Sequence, residues 1–157
     1  MERKTKIHAV EGKQELTVTR EFELPLELLF KAYTDPGIVE QWMGTKVLKL
    51  ENQKHGAWQF VTTDPFGNTH GFHGVIHEFT PGKRIVRTFE MENTGFEPQL
   101  EFLDFESLTD NSSKISIHMV YRSVELRDQM LKLPFAQGVN MAHNRLEEIV
   151  SKLKTSI

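Results

Sequence analysis

The chain has 157 residues, 38% hydrophobic and 26% charged, which suits one globular domain with a full core. Lys and Arg number 19 against 22 Asp and Glu, a net charge of −3 that argues against nucleic acid or an anionic membrane as a general partner. The absence of cysteine excludes disulfides, thiol catalysis and thiolate metal sites together.

Residues 1–14, MERKTKIHAVEGKQ, are polar and lack the apolar centre of a secretion signal, so they read as an N-terminal extension. No stretch approaches about 18 consecutive apolar residues, so no membrane span is expected and a cytoplasmic location is the default. From 15 to 22 the residues Leu16, Val18, Arg20 and Phe22 alternate with polar neighbours, the period of a strand. Pro25 then opens a helix on which Leu26, Leu29, Phe30 and Tyr33 form one apolar stripe. Thr34-Asp35-Pro36 ends that helix and starts a second, because a residue before proline leaves the helical region while Asp35 can cap the next helix.

Short strands come next at 46–51, 57–63, 70–79, 84–91, 99–108 and 114–122, separated by turn chemistry such as Asp64-Pro65-Phe66-Gly67-Asn68 and Thr80-Pro81-Gly82. Ser123 can cap a short helix over 124–132. Beyond Pro134 the period changes. Phe135, Val139, Ala142, Leu146, Ile149, Val150 and Leu153 make a stripe sustained over five turns. The pattern predicts an α+β domain over 15–155, seven antiparallel strands with one face covered by the long C-terminal helix.

This order resembles the helix-grip (START/Bet v 1-like, SRPBCC) superfamily, and within it the bacterial proteins named for homology to the activator of Hsp90 ATPase. The residues carrying the resemblance are Phe30-Lys31-Ala32-Tyr33-Thr34-Asp35-Pro36, Trp42-Met43-Gly44, Gly74-Val75-Ile76-His77-Glu78-Phe79 with Pro81, the strand from Arg84 to Phe89, and Gly138. Val139 stands where the family often has Trp, and Arg87 where an aromatic is common. The resemblance implies a seven-stranded sheet wrapped around the long helix, two short helices after the first strand, and a cavity between sheet and helix.

Eleven Phe, two Trp and two Tyr supply aromatics that are hard to pack without gaps. Candidate cavity residues are Phe30, Trp42, Trp58, Phe60, His73, Arg87, Phe89, Phe102, His118, Met130, Phe135 and Met141. Ile85, Arg87 and Phe89 share a strand face, so an inward Arg87 requires an acid. That acid is Glu101 or Asp104 on the next strand, or the carboxylate or phenolate of a guest. His70 and His73 point to opposite sides of their strand, and His73 and His77 lie about 13 Å apart, so neither pair can share one metal ion. No metal or cofactor is expected. No nucleophile elbow, phosphate loop or dinucleotide fingerprint is present.

The function expected is binding of a small hydrophobic or aromatic molecule, lipid-like, polyketide-like or flavonoid-like, without chemistry. The alternatives are a polyketide cyclase/aromatase-type enzyme, implied by the superfamily, and a protein-interaction module related to the Hsp90 ATPase activator. A chain of this length has no room for the co-chaperone's additional domain, so an interaction with Hsp90 is not the expected one. A weak homodimer is left open.

Overall fold

The computed structural model describes residues 4–154. In chain order its elements are β1 (Lys6–His8), β2 (Glu15–Phe22), α1 (Leu26–Thr34), α2 (Pro36–Met43), β3 (Lys46–Leu50), β4 (Ala57–Thr63), β5 (Thr69–Thr80), β6 (Arg84–Met91), β7 (Gln99–Thr109), β8 (Ser112–Val120), α3 (Val124–Lys132) and α4 (Phe135–Lys154). The strands form one antiparallel sheet in the order β1-β2-β8-β7-β6-β5-β4-β3. This is the helix-grip arrangement with eight strands rather than the seven predicted. The extra strand is β1, inside the segment read as an extension, where Ile7 pairs with Val18. Three residues with one apolar side chain among them are too few to show a period of two.

Local chemistry sets the helix boundaries. The Asp35 carboxylate accepts from the Ile38 amide at 3.2 Å and caps α2. Gly44 ends α2 in the left-handed region at φ 64°. The Trp42 indole donates to the Ala32 carbonyl at 2.7 Å and locks α2 onto α1. Ser123 caps α3 by accepting from Leu126. On α4, Leu146 and Val150 are wholly buried and anchor the helix to the core.

The position of α4 is fixed by a buried cation. Arg20 lies in the apolar row of β2 between Val18 and Phe22 and is 1% exposed. Its guanidinium donates to Asn144 Oδ1 at 2.8 Å, Glu147 Oε1 at 3.2 Å and Thr5 Oγ1 at 3.2 Å. It also packs over the Phe22 ring, 5.1 Å from the centroid. The second Glu147 oxygen accepts from the Glu23 amide at 2.8 Å. An arginine without these partners would be very costly in this place, so strand and helix are bound together.

His143, one residue before Asn144, is 3% exposed and lies edge-on to Phe22. Its Nδ1 is 2.9 Å from the Thr5 hydroxyl and its Nε2 3.4 Å from the Tyr33 hydroxyl. A neutral imidazole has one donor and one acceptor nitrogen, which suits a hydroxyl at each side. Burial first, and the Arg20 charge second, hold its pKa down at about 3. The folded-state pKa is depressed, so the unfolded chain takes the proton first. Stability from this group is complete above about pH 6.5 and is lost as the pH falls toward 3. Between those limits the slope approaches about 1.4 kcal/mol per pH unit. His143→Gln should therefore unfold with a shallower pH dependence than the wild type between pH 6 and 4. Urea midpoints measured across that range test this, and parallel curves would contradict it.

Candidate functional site

The concave face holds a cavity of about 160 Å³ lined by Met43, Thr45, Trp58, Phe60, Thr62, Phe72, Arg87 and Phe89. Alternation along the strands builds it. Trp58, Phe60 and Thr62 share one face of β4, Phe60 pairs with Phe72 of β5, and Arg87 and Phe89 share a face of β6. The rings touch in sequence. Trp58 lies 4.9 Å from Phe60 and 5.6 Å from Phe89, and Phe72 lies 5.7 Å from Phe89, centroid to centroid. Met43 closes one side from the end of α2. Thr45 beside it accepts from the Thr62 hydroxyl at 3.1 Å and donates to the Val61 carbonyl at 3.0 Å.

Gly74 makes room for the Trp58 ring behind the wall. A Cβ there would stand 1.9 Å from the Thr88 carbonyl oxygen and 2.6 Å from the Trp58 indole nitrogen. That indole donates to the same carbonyl at 3.1 Å, so the Trp58 ring crosses the bare glycine to reach β6. The Val75 amide is diverted to the Thr88 hydroxyl at 2.9 Å. The side-chain-free crossing permits this close approach of the Trp58 ring to β5 and β6.

Arg87 brings a charge to this wall. Its Nε donates to Glu101 Oε1 at 3.1 Å, and the side chains of Arg87 and Glu101 are 14% and 5% exposed. The other Glu101 oxygen accepts from Gln99 Nε2 at 2.9 Å. The guanidinium carbon stands 4.8 Å from the Trp58 ring centroid, a cation–π contact that keeps the group flat on the wall. Of the acids named from the sequence, Glu101 is the partner. Asp104 lies on the opposite face and takes Arg84 at 2.8 Å. Nearby, burial pushes the Tyr33 hydroxyl well above its usual range, so it remains protonated.

Four of the twelve candidates, Trp58, Phe60, Arg87 and Phe89, meet at this cavity. This cavity adjoins the end of α2, and among the described residues none of α4 lines it. Phe30 packs between Phe79 and Phe105 in the core. Trp42 is the α1–α2 lock, and Met130 is buried on α3. Phe135 packs against the core at the start of α4, while Met141 is 54% exposed.

Phe102 and His118 pair on the outer sheet face, rings stacked at 5.7 Å, with His118 3.5 Å from Glu15. His73 also faces outward, 2.8 Å from Glu92 and 3.5 Å from Glu90, beside an open groove with Lys49, Gln59 and Val75. Among the described residues, no three His, Asp or Glu side chains are grouped to hold a metal ion.

Met43, Thr45, Thr62 and Phe72 were not foreseen. Thr62 was findable from its spacing of two with Phe60. Phe72 was hidden by the bulge between Ile76 and Glu78, which shifts the register against β6 and separates the inward set of Phe72, Gly74 and Ile76 from inward Phe79.

An open antiparallel sheet gripping a C-terminal helix, with an aromatic void at one end, defines a helix-grip domain. The family model described as "Activator of Hsp90 ATPase homolog 1-like protein" matches residues 23–151, and the chain belongs to that family. Several solved structures share the fold. One from Rhodobacter sphaeroides is 22% identical with a TM-score of 0.84, covering 94% of this chain and 99% of that one. A Mycobacterium smegmatis protein is 20% identical with a TM-score of 0.81, covering 92% and 95%. An Arthrobacter aurescens protein is 14% identical with a TM-score of 0.83, covering 94% and 91%. No curated protein matches the chain. Among the described residues no helix is long and apolar enough to cross a membrane.

Gly74→Ala should cost about 2 kcal/mol or more, because the atoms in its way are a backbone carbonyl and a ring already bonded to it. Gly138→Ala, whose Cβ meets nothing within 4 Å, should be neutral or slightly stabilising. Urea denaturation of the two variants compares them, and equal stabilities would remove the role given to Gly74.

Proposed function

We propose that this protein binds a small, largely apolar molecule of about one ring in the cavity between β4–β6 and the end of α2, without transforming it. The observation that supports this is an aromatic void of about 160 Å³ with one polar group built into its wall. Its volume suits a guest of about one ring. An apolar cavity of about 150 Å³ engineered in another protein takes up benzene, whereas pockets for drug-sized ligands run to roughly 300 Å³ and more. A single substituted ring fits. A flavonoid, a folded polyketide or a long acyl chain would extend beyond this space.

Binding without chemistry is the better reading because, among the described residues, Arg87 is the only ionisable side chain on the lining. A guanidinium keeps its proton and is a poor general base, so a cyclase would lack a proton acceptor beside its substrate. Thermal-shift measurements with single-ring aromatic compounds test the proposal. A guest at about a hundred times its Kd should raise the Tm by about 5–10 °C. Phe72→Trp, which fills the void from its own wall, should abolish the rise. No stabilisation by any single-ring compound would overturn the proposal.

A further inference from the structure

The charge on the cavity wall is already balanced, and this bears on what the guest can carry. Resting on the reading of the cavity as a binding site, we infer that it selects an uncharged ring bearing a hydrogen-bond acceptor, such as an aryl ketone, ether or amide, and rejects aromatic acids. Arg87 has five N–H donors. Nε is taken by Glu101, and among the described residues no group accepts from the two terminal nitrogens. Among those residues no fully buried side-chain nitrogen lacks a partner, so these terminal nitrogens keep some exposed surface, and Arg87 is one of the residues that line the cavity.

The remaining lining is Trp58, Phe60, Phe72, Phe89, Met43 and two threonines already engaged with each other. A hydrocarbon guest would strip water from the guanidinium and leave its donors empty, which costs the desolvation of those groups. A carboxylate would satisfy the donors but add a second anion beside Glu101, leaving one buried negative charge uncompensated. A neutral acceptor satisfies the donors and leaves the charges balanced. Guanidinium here acts as a polar donor on an apolar wall, with its charge held for Glu101.

Three probes of similar size separate these cases: acetophenone, ethylbenzene and benzoate. On the wild-type protein, calorimetric titration should show acetophenone binding about tenfold tighter than either of the others. Glu101→Gln unbalances the wall. Its amide oxygen can still accept from Arg87 while its nitrogen donates to a flipped Gln99 side chain, so the hydrogen bonds survive without the negative charge. In that variant the order should invert, with benzoate becoming the tightest guest by about tenfold.

If the variant fails to fold, the wild-type order decides alone. The double variant Arg87→Met with Glu101→Gln, which removes both charges, should then bind acetophenone and ethylbenzene equally. Equal wild-type affinities, or benzoate as the tightest wild-type guest, overturn the inference while leaving the binding site standing. An unchanged order in Glu101→Gln also overturns it. Failure of all three probes on the wild type overturns the cavity reading and this inference with it.

Discussion

A buried arginine in the first long strand governs the rest of this molecule. Arg20 Nε donates to the Glu21 carbonyl of its own strand at 3.3 Å, while its terminal nitrogens take their acceptors from α4 and the N-terminal segment, namely Asn144, Glu147 and Thr5. The long helix is thereby held at the β2 side of the concave face, where Leu146 and Val150 complete the core. Over β4 to β6 the cavity is lined by Met43 at the end of α2 and, among the described residues, by none of α4. One straight helix cannot cover an eight-stranded curved sheet evenly, and the shortfall collects where aromatics face each other across the bend. The anchor at β2 and the void over β4 to β6 lie at different ends of the sheet.

Close packing and polarity at the void trace to neighbouring points in the sheet. The glycine at 74 lets the Trp58 ring bridge to Thr88, and the adjacent residue of β6, Arg87, lies under that same ring. The indole is therefore fixed on its nitrogen edge by a carbonyl and on its face by a guanidinium. Arg87 is in turn fixed by Glu101, and Glu101 by Gln99. A chain of four side chains holds the wall rigid while leaving its apolar surface bare, the kind of preformed apolar lining with few fixed polar groups that small-molecule sites use.

Much of this was legible in the residues. The period of two along β2, β4 and β6 and the five-turn stripe of α4 placed the elements. Asp35 and Ser123 marked helix starts because their side chains do at the backbone what the sequence pattern requires. Other features were hidden. β1 is too short to carry a period. The bulge in β5 made outward His73 look as eligible as inward Phe72. The partner of Arg87 depended on register, which the sequence does not state: pairing places Arg87 opposite Glu101 and Arg84 opposite Asp104, and a slip of one residue would have broken both. The cavity's neighbour was also hidden, since the stripe of α4 tells which face is buried but not how far along the sheet the helix reaches. His143 lay inside that stripe without announcing that it would be buried against Arg20.

The two tryptophans of this chain occupy contrasting places. Trp42 is buried and sealed to the Ala32 carbonyl, away from the void, whereas Trp58 forms its wall. Because both indole nitrogens are tied to backbone carbonyls, neither ring can respond to a guest by changing its hydrogen bond. Any shift in ultraviolet emission on filling the void must then originate at the face of Trp58, over a constant background from Trp42. The proposed filling of the void is thereby open to test by the protein's own fluorescence, with no label required.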